Sequence, residues 1–319
     1  MHKPKILVIT GPTASGKTDL SLQLAQRYNG EIINADMGQL YEALSIGTAK
    51  PDLSNVSVPH HLFNVVNEPK NFTVLQYRLL VLDKINQLLK IGKLPILVGG
   101  SFFYLKSLFF PPQELGAGIG NALPDYHDFP NEALWNELRR IDEKRASDLH
   151  SNDRYRVLRA LMVWNRFHKK PSDCLPTFDF PFQTAVIHLH PEINFHKEII
   201  ASRVQEMLQH GWILEACALL GTSWEFFILE KKIIGYSELF SWIRAGSEEE
   251  QLLPLAQVIT QKTWQYARRQ LIFWKSFKKQ LAEVIDGKII ELSFTQKNKS
   301  QLVVKSCDFV EFFLKKIEK

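Results

Sequence analysis

The sequence predicts an α/β fold, a parallel sheet flanked by helices with an all-helical domain inserted into it, and three observations carry the prediction. An apolar, β-branched run, Ile6-Leu-Val-Ile-Thr10, breaks into a glycine loop, Gly11-Pro12-Thr13-Ala14-Ser15-Gly16-Lys17-Thr18, and then into a helical pattern from Asp19 to Tyr28. Further short apolar runs, Glu31 to Ala35 and Leu94 to Val98, alternate with helical stretches, the order that builds a parallel sheet. Between Pro111 and about Pro130, prolines, glycines and mixed polarity replace that alternation, and Ala185-Val-Ile-His-Leu189 resumes it as a returning strand. The expected division is a core at 1–112, a helical insertion at 113–182 and the rest of the core, with basic helices, at 183–319.

Gly11, four residues, then Gly16-Lys17-Thr18 is the spacing of a P-loop. Glycines let consecutive backbone N–H groups converge on phosphate oxygens, Lys17 reaches over them as a point charge, and the Thr18 hydroxyl is a ligand for Mg²⁺. The helix that follows turns its positive end toward the anion. A glycine turn before any helix is the plainer alternative, and the full pattern between strand and helix stands against it. Alone, the loop leaves its ligand open among those of nucleotide kinases, NTPases and diphosphate-using transferases.

Composition narrows the class. The 319 residues are 45% hydrophobic, ample for a sizeable core. Cys174, Cys217 and Cys307 are far apart and lack C-x-x-C spacing, so neither a disulfide framework nor a zinc site is expected, and a reducing cytoplasmic setting fits. Met1-His-Lys-Pro-Lys runs straight into the first strand, leaving no room for a signal peptide, and no apolar run is long enough for a membrane span; a soluble monomer is the expectation. A net charge of +5 does not by itself indicate a polyanionic partner.

The second strand ends in Asp36, before the polar and aromatic loop Met37-Gly38-Gln39-Leu40-Tyr41. Ligands of open α/β sheets sit beyond the carboxyl ends of the strands, so Asp36 is aimed at the phosphate site, unless it serves only as a cap or turn residue. Ile46-Gly-Thr-Ala-Lys50-Pro51 reads as loop, and Pro59-His60-His61-Leu62 as a turn before a short strand at Phe63-Asn-Val-Val. Leu75, Leu79, Leu82, Ile85 and Leu89 recur at helical steps between Thr73 and Ile91, with Gly92 as the stop. Strand Leu94 to Val98 ends in Gly99-Gly100-Ser101. The glycines permit close backbone approach; the serine offers its hydroxyl there, caps the helix Phe102 to Leu108, or does both.

In the insertion, Glu132 to Leu149 reads as one helix and Asn152 to Arg166 as a second, with Asn152 as its cap. Arg156, Arg159 and Arg166 share a face there, either a solvated stripe or a phosphate-contacting one. After the returning strand, Asn194 to Gln209 is a charged helix stopped by Gly211, Trp212 to Leu220 is helical again, and Lys231-Lys232-Ile-Ile-Gly235-Tyr236 is a basic, aromatic turn before the helix Glu238 to Arg244. Thr260 to Gln280 sets Lys262, Arg268, Arg269, Lys275, Lys278 and Lys279 among Trp264, Tyr266, Phe273, Trp274 and Phe277, most of these aromatics for the core and the cations for a phosphate-bearing surface. The tail from Asn298 adds apolar residues and no site.

A kinase would need a second phosphate-handling apparatus, such as a lid with arginines, and a motor ATPase an acid where Gly99 stands. In chain order, Gly11 to Thr18, Ala35-Asp36-Met-Gly-Gln39-Leu-Tyr41, Ile46 to Pro51, Pro59 to Leu62, Leu97-Val-Gly-Gly-Ser101-x-x-Tyr104, Asn152-Asp-Arg154, Gly235-Tyr236 and Arg268-Arg-Gln-Leu-x-x-Trp274 resemble the bacterial tRNA dimethylallyltransferases. The resemblance spans Ile6 to about Trp274. It implies a P-loop NTPase-like core whose insertion grips a tRNA anticodon stem-loop, and transfer of the dimethylallyl group from dimethylallyl diphosphate to N6 of the adenosine 3′-adjacent to the anticodon, with release of diphosphate.

On that resemblance Gly11, Pro12, Thr13, Ala14, Ser15, Gly16, Lys17 and Thr18 hold the diphosphate, with Mg²⁺ on Thr18, and Asp36 as general base forms the catalytic set with Lys17 and Ser101. Contacts to tRNA fall on Asp36, Met37, Gly38, Gln39, Ser101, Tyr155, Arg156, Arg159, Lys232, Gly235, Tyr236, Arg268, Arg269 and Lys275, with Lys231 beside them. Met37 stands where the family has Ser, Ser101 where it has Thr, Tyr155 where Gln is common and Ser237 where Arg is usual. These departures bear on rate and tRNA preference more than on reaction type. A nucleotide or small-molecule kinase and a catalytically weakened or silent RNA-binding relative are the other readings.

Overall fold

The computed structural model describes residues 3–54, 57–112, 126 and 128–315. Contacts divide the chain into two compact units, Met1–Phe109 with Phe180–Lys319, and Phe110–Asp179. The stretch 113–125, where the composition changes, lies outside the described residues.

In the first unit β1 (Lys5–Thr10) leads through the glycine loop into α1 (Lys17–Arg27), β2 (Gly30–Asn34) and the two-residue β3 (His60–His61). The third strand thus falls on the histidine pair, with Tyr41 bridging Val66 beyond it, rather than on Phe63 to Val66. α2 (Val74–Lys90) opens on a capping box: the Thr73 hydroxyl accepts from the Gln76 N–H, and the Gln76 side chain accepts from the Thr73 N–H, an arrangement typically stabilising a helix by about 1 kcal/mol. β4 (Leu94–Gly99) and α3 (Phe102–Phe109) complete the first stretch of this unit.

The second unit holds α4 (Asn131–Ile141), α5 (Glu143–Ser147) and α6 (Arg154–Phe167). Asp142 breaks what the periodicity reads as a single helix. Its carboxylate accepts from the N–H groups of Arg145 (3.0 Å) and Ser172 (2.6 Å); burial works against its charge, yet these donors hold its pKa below the usual range. Asp153, rather than Asn152, caps α6 by accepting from the Arg156 N–H. Arg154 is an internal brace, donating to the carbonyls of Phe129 and Tyr126. Leu134, Leu138, Val157 and Leu161 form the core of this unit.

The first unit resumes with β5 (Gln183–Pro191), α7 (Ile193–Met207), a π-turn across Leu208–Trp212, α8 (Ile213–Leu219), α9 (Ser223–Lys231), α10 (Tyr236–Arg244), α11 (Leu252–Val284), β6 (Gly287–Phe294) and α12 (Gln301–Lys315). Six strands pair in parallel in the order β3-β2-β4-β1-β5-β6. Helices cover the sheet, which is why its inner strands read as continuous apolar runs rather than as alternation. Leu7, Ile9, Leu24, Ile96 and Ile187 form its core. The chain leaves β1 for one side of the sheet and later returns to the other, so the switch point lies between β1 and β4. Registers Thr10↔Gly99 and Asn34↔Val98 bring the ends of β1, β2 and β4 level there. No single helix among the described residues is long and apolar enough to cross a membrane.

Candidate active site

Those three strand ends carry the glycine loop, Asp36 and Ser101. The loop is held by the helices around it. Thr13 donates its N–H to Gln270 Oε1 (2.8 Å), and its carbonyl accepts from His196 Nε2 (2.8 Å). Because a carbonyl only accepts, that bond assigns the proton to Nε2. Gln270 Nε2 in turn donates to the Gly100 carbonyl (2.8 Å), so one buried amide on α11 ties the P-loop to the end of β4.

Lys17 Nζ lies over the loop, donating to the carbonyls of Pro12 (2.6 Å) and Gly11 (3.1 Å) and to Ser15 Oγ (3.4 Å). Burial brings its pKa down to about 7; the charge of Asp36 resists the fall and that of Arg203 adds to it. Arg203, half-buried on α7, is within electrostatic reach of Asp36 as well. It is a second cation beside the cradle. The Thr18 hydroxyl opens α1 at the surface. Among the described residues no group of three or more His, Cys, Asp or Glu could hold a metal ion. A single hydroxyl beside a phosphate cradle fits Mg²⁺ that arrives on phosphate oxygens and keeps most of its waters, and does not fit a resident metal.

Asp36 sits in a side-chain-to-backbone turn. Its N–H donates to Asn34 Oδ1 (2.8 Å), and its Oδ1 accepts from the Gly38 N–H (3.1 Å). The fully buried Asn34 also donates to the carbonyls of Asp36 and Leu62 (3.0 Å each), and its own carbonyl accepts from the Tyr77 hydroxyl (2.8 Å). Asp36 is therefore a turn residue and a strand-end carboxylate at once. Ser101 occupies the first position before α3, with its carbonyl accepting from the Leu105 N–H, but its hydroxyl accepts from the Met37 N–H (2.9 Å) instead of capping. A Cβ on Gly99 would lie 2.0 Å from the Ala35 carbonyl oxygen, so only glycine lets β2 and β4 close here. Tyr266, on α11, is within hydrogen-bonding reach of Ser101 and Gln270, and burial, then the charge of Asp36, hold its hydroxyl protonated well above the usual range.

The structure thus gathers Gly11 to Thr18, Asp36 to Gln39 and Ser101 at one end of the sheet. Arg268, Arg269 and Lys275 are exposed on α11, and Lys232 is exposed at the left-handed end of α9. Lys231 is turned onto Glu230 and the Phe227 ring. Gly235 and Tyr236, expected to touch RNA, are both buried: Tyr236 donates its hydroxyl to Glu215 (2.6 Å), and the Gly235 backbone lies against the Trp212 ring. In the second unit Tyr155 is 73% exposed, Arg156 is exposed and paired with Asp153 (3.3 Å), and Arg159 is half-buried. Sequence reasoning missed Arg203, His196, Gln270 and Tyr266. The available signal was that His196, Ile200 and Arg203 follow at steps of four and three, one face of a helix. Ile200 packs there with Ala14 of the loop.

A parallel sheet whose switch point bears a P-loop, two cations and an adjoining carboxylate, with glycine where a motor ATPase carries an acid, defines an enzyme that handles a phosphorylated substrate. The family model of the IPP transferases matches residues 39–277, and the chain belongs to that family. The tRNA dimethylallyltransferase of Syntrophomonas wolfei subsp. wolfei is 34% identical over 316 residues, covering 96% of this chain and 97% of that one. That of Staphylococcus aureus strain MRSA252 is 33% identical over 287 residues, 86% of this chain and 91% of its own. Among solved structures, a eukaryotic dimethylallyltransferase acting on tRNA superposes with a TM-score of 0.78 at 26% identity, over 97% of this chain and 80% of that one. The full-length tRNA isopentenylpyrophosphate transferase of Bacillus halodurans gives 0.64, also at 26%, over 98% of each chain.

Proposed function

We propose that this protein transfers a dimethylallyl group from dimethylallyl diphosphate to N6 of a tRNA adenosine beside the anticodon. The observation that carries the reading is the Asp36 carboxylate held at the strand end next to the P-loop, with Gly99 ending β4 and Gly100 just beyond it. An aryl amine is a weak nucleophile. Asp36 accepts its proton as the N6–C1 bond forms, while the C1–O bond breaks and its electron pair leaves with diphosphate. Lys17, Arg203 and the loop N–H groups meet the negative charge growing on that leaving group. Mg²⁺ brought by the diphosphate would be held by Thr18 and neutralise part of the same charge.

The adenosine must leave its stack to reach Asp36, so grip on the RNA backbone has to come from elsewhere. Exposed Lys232, Arg268, Arg269 and Lys275 suit that task in the first unit, and Tyr155, Arg156 and Arg159 in the second. A cytoplasmic monomer belongs to the same proposal. In the decisive assay, radiolabel from dimethylallyl diphosphate enters tRNA; label passing from γ-phosphate ATP to an acceptor would overturn the reading in favour of a kinase. Asp36→Asn is expected to lower kcat by about 10²-fold or more with tRNA affinity nearly unchanged, and unchanged turnover would remove Asp36 from the base role.

A further inference from the structure

We infer that Glu215, on α8 and far in sequence from the strand ends, is a positioning residue for the reaction, acting through the loop of residues 45–49 on Gln39 and the Asp36 turn. The inference rests on the proposed reading of Asp36 and Gln39 as adenosine-side residues.

The Glu215 carboxylate is enclosed by donors. Oε2 accepts from the N–H groups of Ser45 and Ile46 (2.8 Å each), and Oε1 from the Gly47 N–H (3.0 Å) and the Tyr236 hydroxyl (2.6 Å). No Lys or Arg forms a direct ion pair with it among the described residues; three backbone dipoles and one phenol meet its oxygens, with the Lys50 ammonium acting on its charge from farther off. Ring packing closes the site. A Cβ on Gly47 would lie 2.3 Å from Trp212 Nε1 and 2.5 Å from the Tyr236 hydroxyl, so the loop backbone is pressed against both rings.

The far side of the same loop faces the candidate active site. Thr48 and Ala49 turn their carbonyls to Gln39 Nε2 (3.1 and 3.2 Å), and Ala49 takes a left-handed φ of 50° to do so. The Thr48 methyl lies 2.8 Å from where a Gly38 Cβ would stand, and the Gly38 N–H is the donor to Asp36 Oδ1. One carboxylate thus sets three consecutive N–H groups of a loop whose next two carbonyls orient Gln39. No hydrogen bond from Glu215 or residues 45–49 reaches the P-loop among the described residues.

That asymmetry is the test. Glu215→Gln turns an amide NH₂ toward at least one N–H donor, and one lost charge-assisted bond is worth about tenfold. Steady-state kinetics of the full chain are expected to give KM for tRNA raised about tenfold and kcat lowered severalfold, with KM for dimethylallyl diphosphate within about twofold. A merely structural role would reduce the active fraction and leave both KM values alone, which would overturn the inference. In a double-mutant cycle with Gln39→Ala the effects on tRNA KM are expected to be non-additive. If Gln39→Ala is damaging by itself and the two effects add, the inference fails while the reading of Gln39 stands. If Gln39→Ala changes neither constant, that reading fails and the inference falls with it. Should Glu215→Gln not fold, Tyr236→Phe removes one of the four donors and is expected to raise tRNA KM by about twofold, with the same split; unchanged tRNA KM there would overturn the inference.

Discussion

Lys17 loses solvation among Gly11, Pro12 and Ser15, and its pKa falls to about 7, so the free protein near neutrality holds a mixture of charged and neutral amine. A diphosphate favours the charged form. Below pH 7 that charge is already in place; above it, binding must take up a proton, and affinity declines with rising pH by at most about tenfold per unit. Calorimetry of diphosphate binding at pH 8 is expected to give heats that differ between buffers of different ionisation enthalpy, and Lys17→Arg to abolish the Lys17 share of that difference. His188 is the opposite case. It is fully buried, stacked on Trp274 at 4.2 Å, and neither ring nitrogen has a partner among the described residues. Burial, reinforced by His190, Lys17 and Lys278, pushes its pKa down to about 3, while Glu291 lies nearby on Trp274 and Lys278. Between pH 3 and the unfolded value of 6.5 the unfolded chain binds the extra proton, so stability is lost as pH falls below 6.5, by up to about 1.4 kcal/mol per unit. His188→Leu removes this slope; denaturation midpoints compared at pH 7 and pH 5 check it.

At the scale of elements, α11 does two things with one helix. Its 33 residues turn Ala267, Gln270, Trp274 and Phe277 inward and leave Arg268, Arg269 and Lys275 in solvent. Replacing Gln270 by Met, similar in volume, leaves the Thr13 N–H and the Gly100 carbonyl without that partner, at about 1–3 kcal/mol each if water does not reach them. The expected outcome is a lower melting temperature and a KM for dimethylallyl diphosphate raised at least severalfold, with tRNA affinity retained. The aromatic and basic pattern of Thr260 to Gln280 was legible because a helix sorts residues by its own period; the extra turns before Thr260 were not, since Pro254 and the polar stretch around Glu248 look like a stop. β6 escaped notice for a related reason. It is an edge strand with half its residues in solvent, and Gly287-Lys288 gives no apolar run to read. α9 shows no stripe: Phe226 is 77% exposed while the adjoining Phe227 is buried. The P-loop was legible because phosphate binding is written in consecutive residues. His196, Gln270 and Arg203 meet it only through folding, across more than 180 positions; the helical spacing of His196 and Arg203 says that they share a face, not what that face meets.

For the whole molecule, +5 spread over 319 residues is too dilute a charge to hold RNA, so binding has to rest on local sets of cations. Two such sets are available, exposed Arg268, Arg269 and Lys275 on α11 and exposed Arg156 with half-buried Arg159 on α6, in different units. Each phosphate neutralised releases counterion, so the plot of log affinity against log salt loses about 0.7–0.9 of slope per contact removed. Arg156 already shares its charge with Asp153, and moving to a phosphate must break that pair, so its contribution is the smaller one. Changing the three α11 cations to Ala is expected to flatten the slope by about two to three. Changing Arg156 and Arg159 should flatten it by about one. If one tRNA engages both units, the combined variant loses the sum; a combined slope equal to that of the α11 variant alone would assign the α6 cations to solvent.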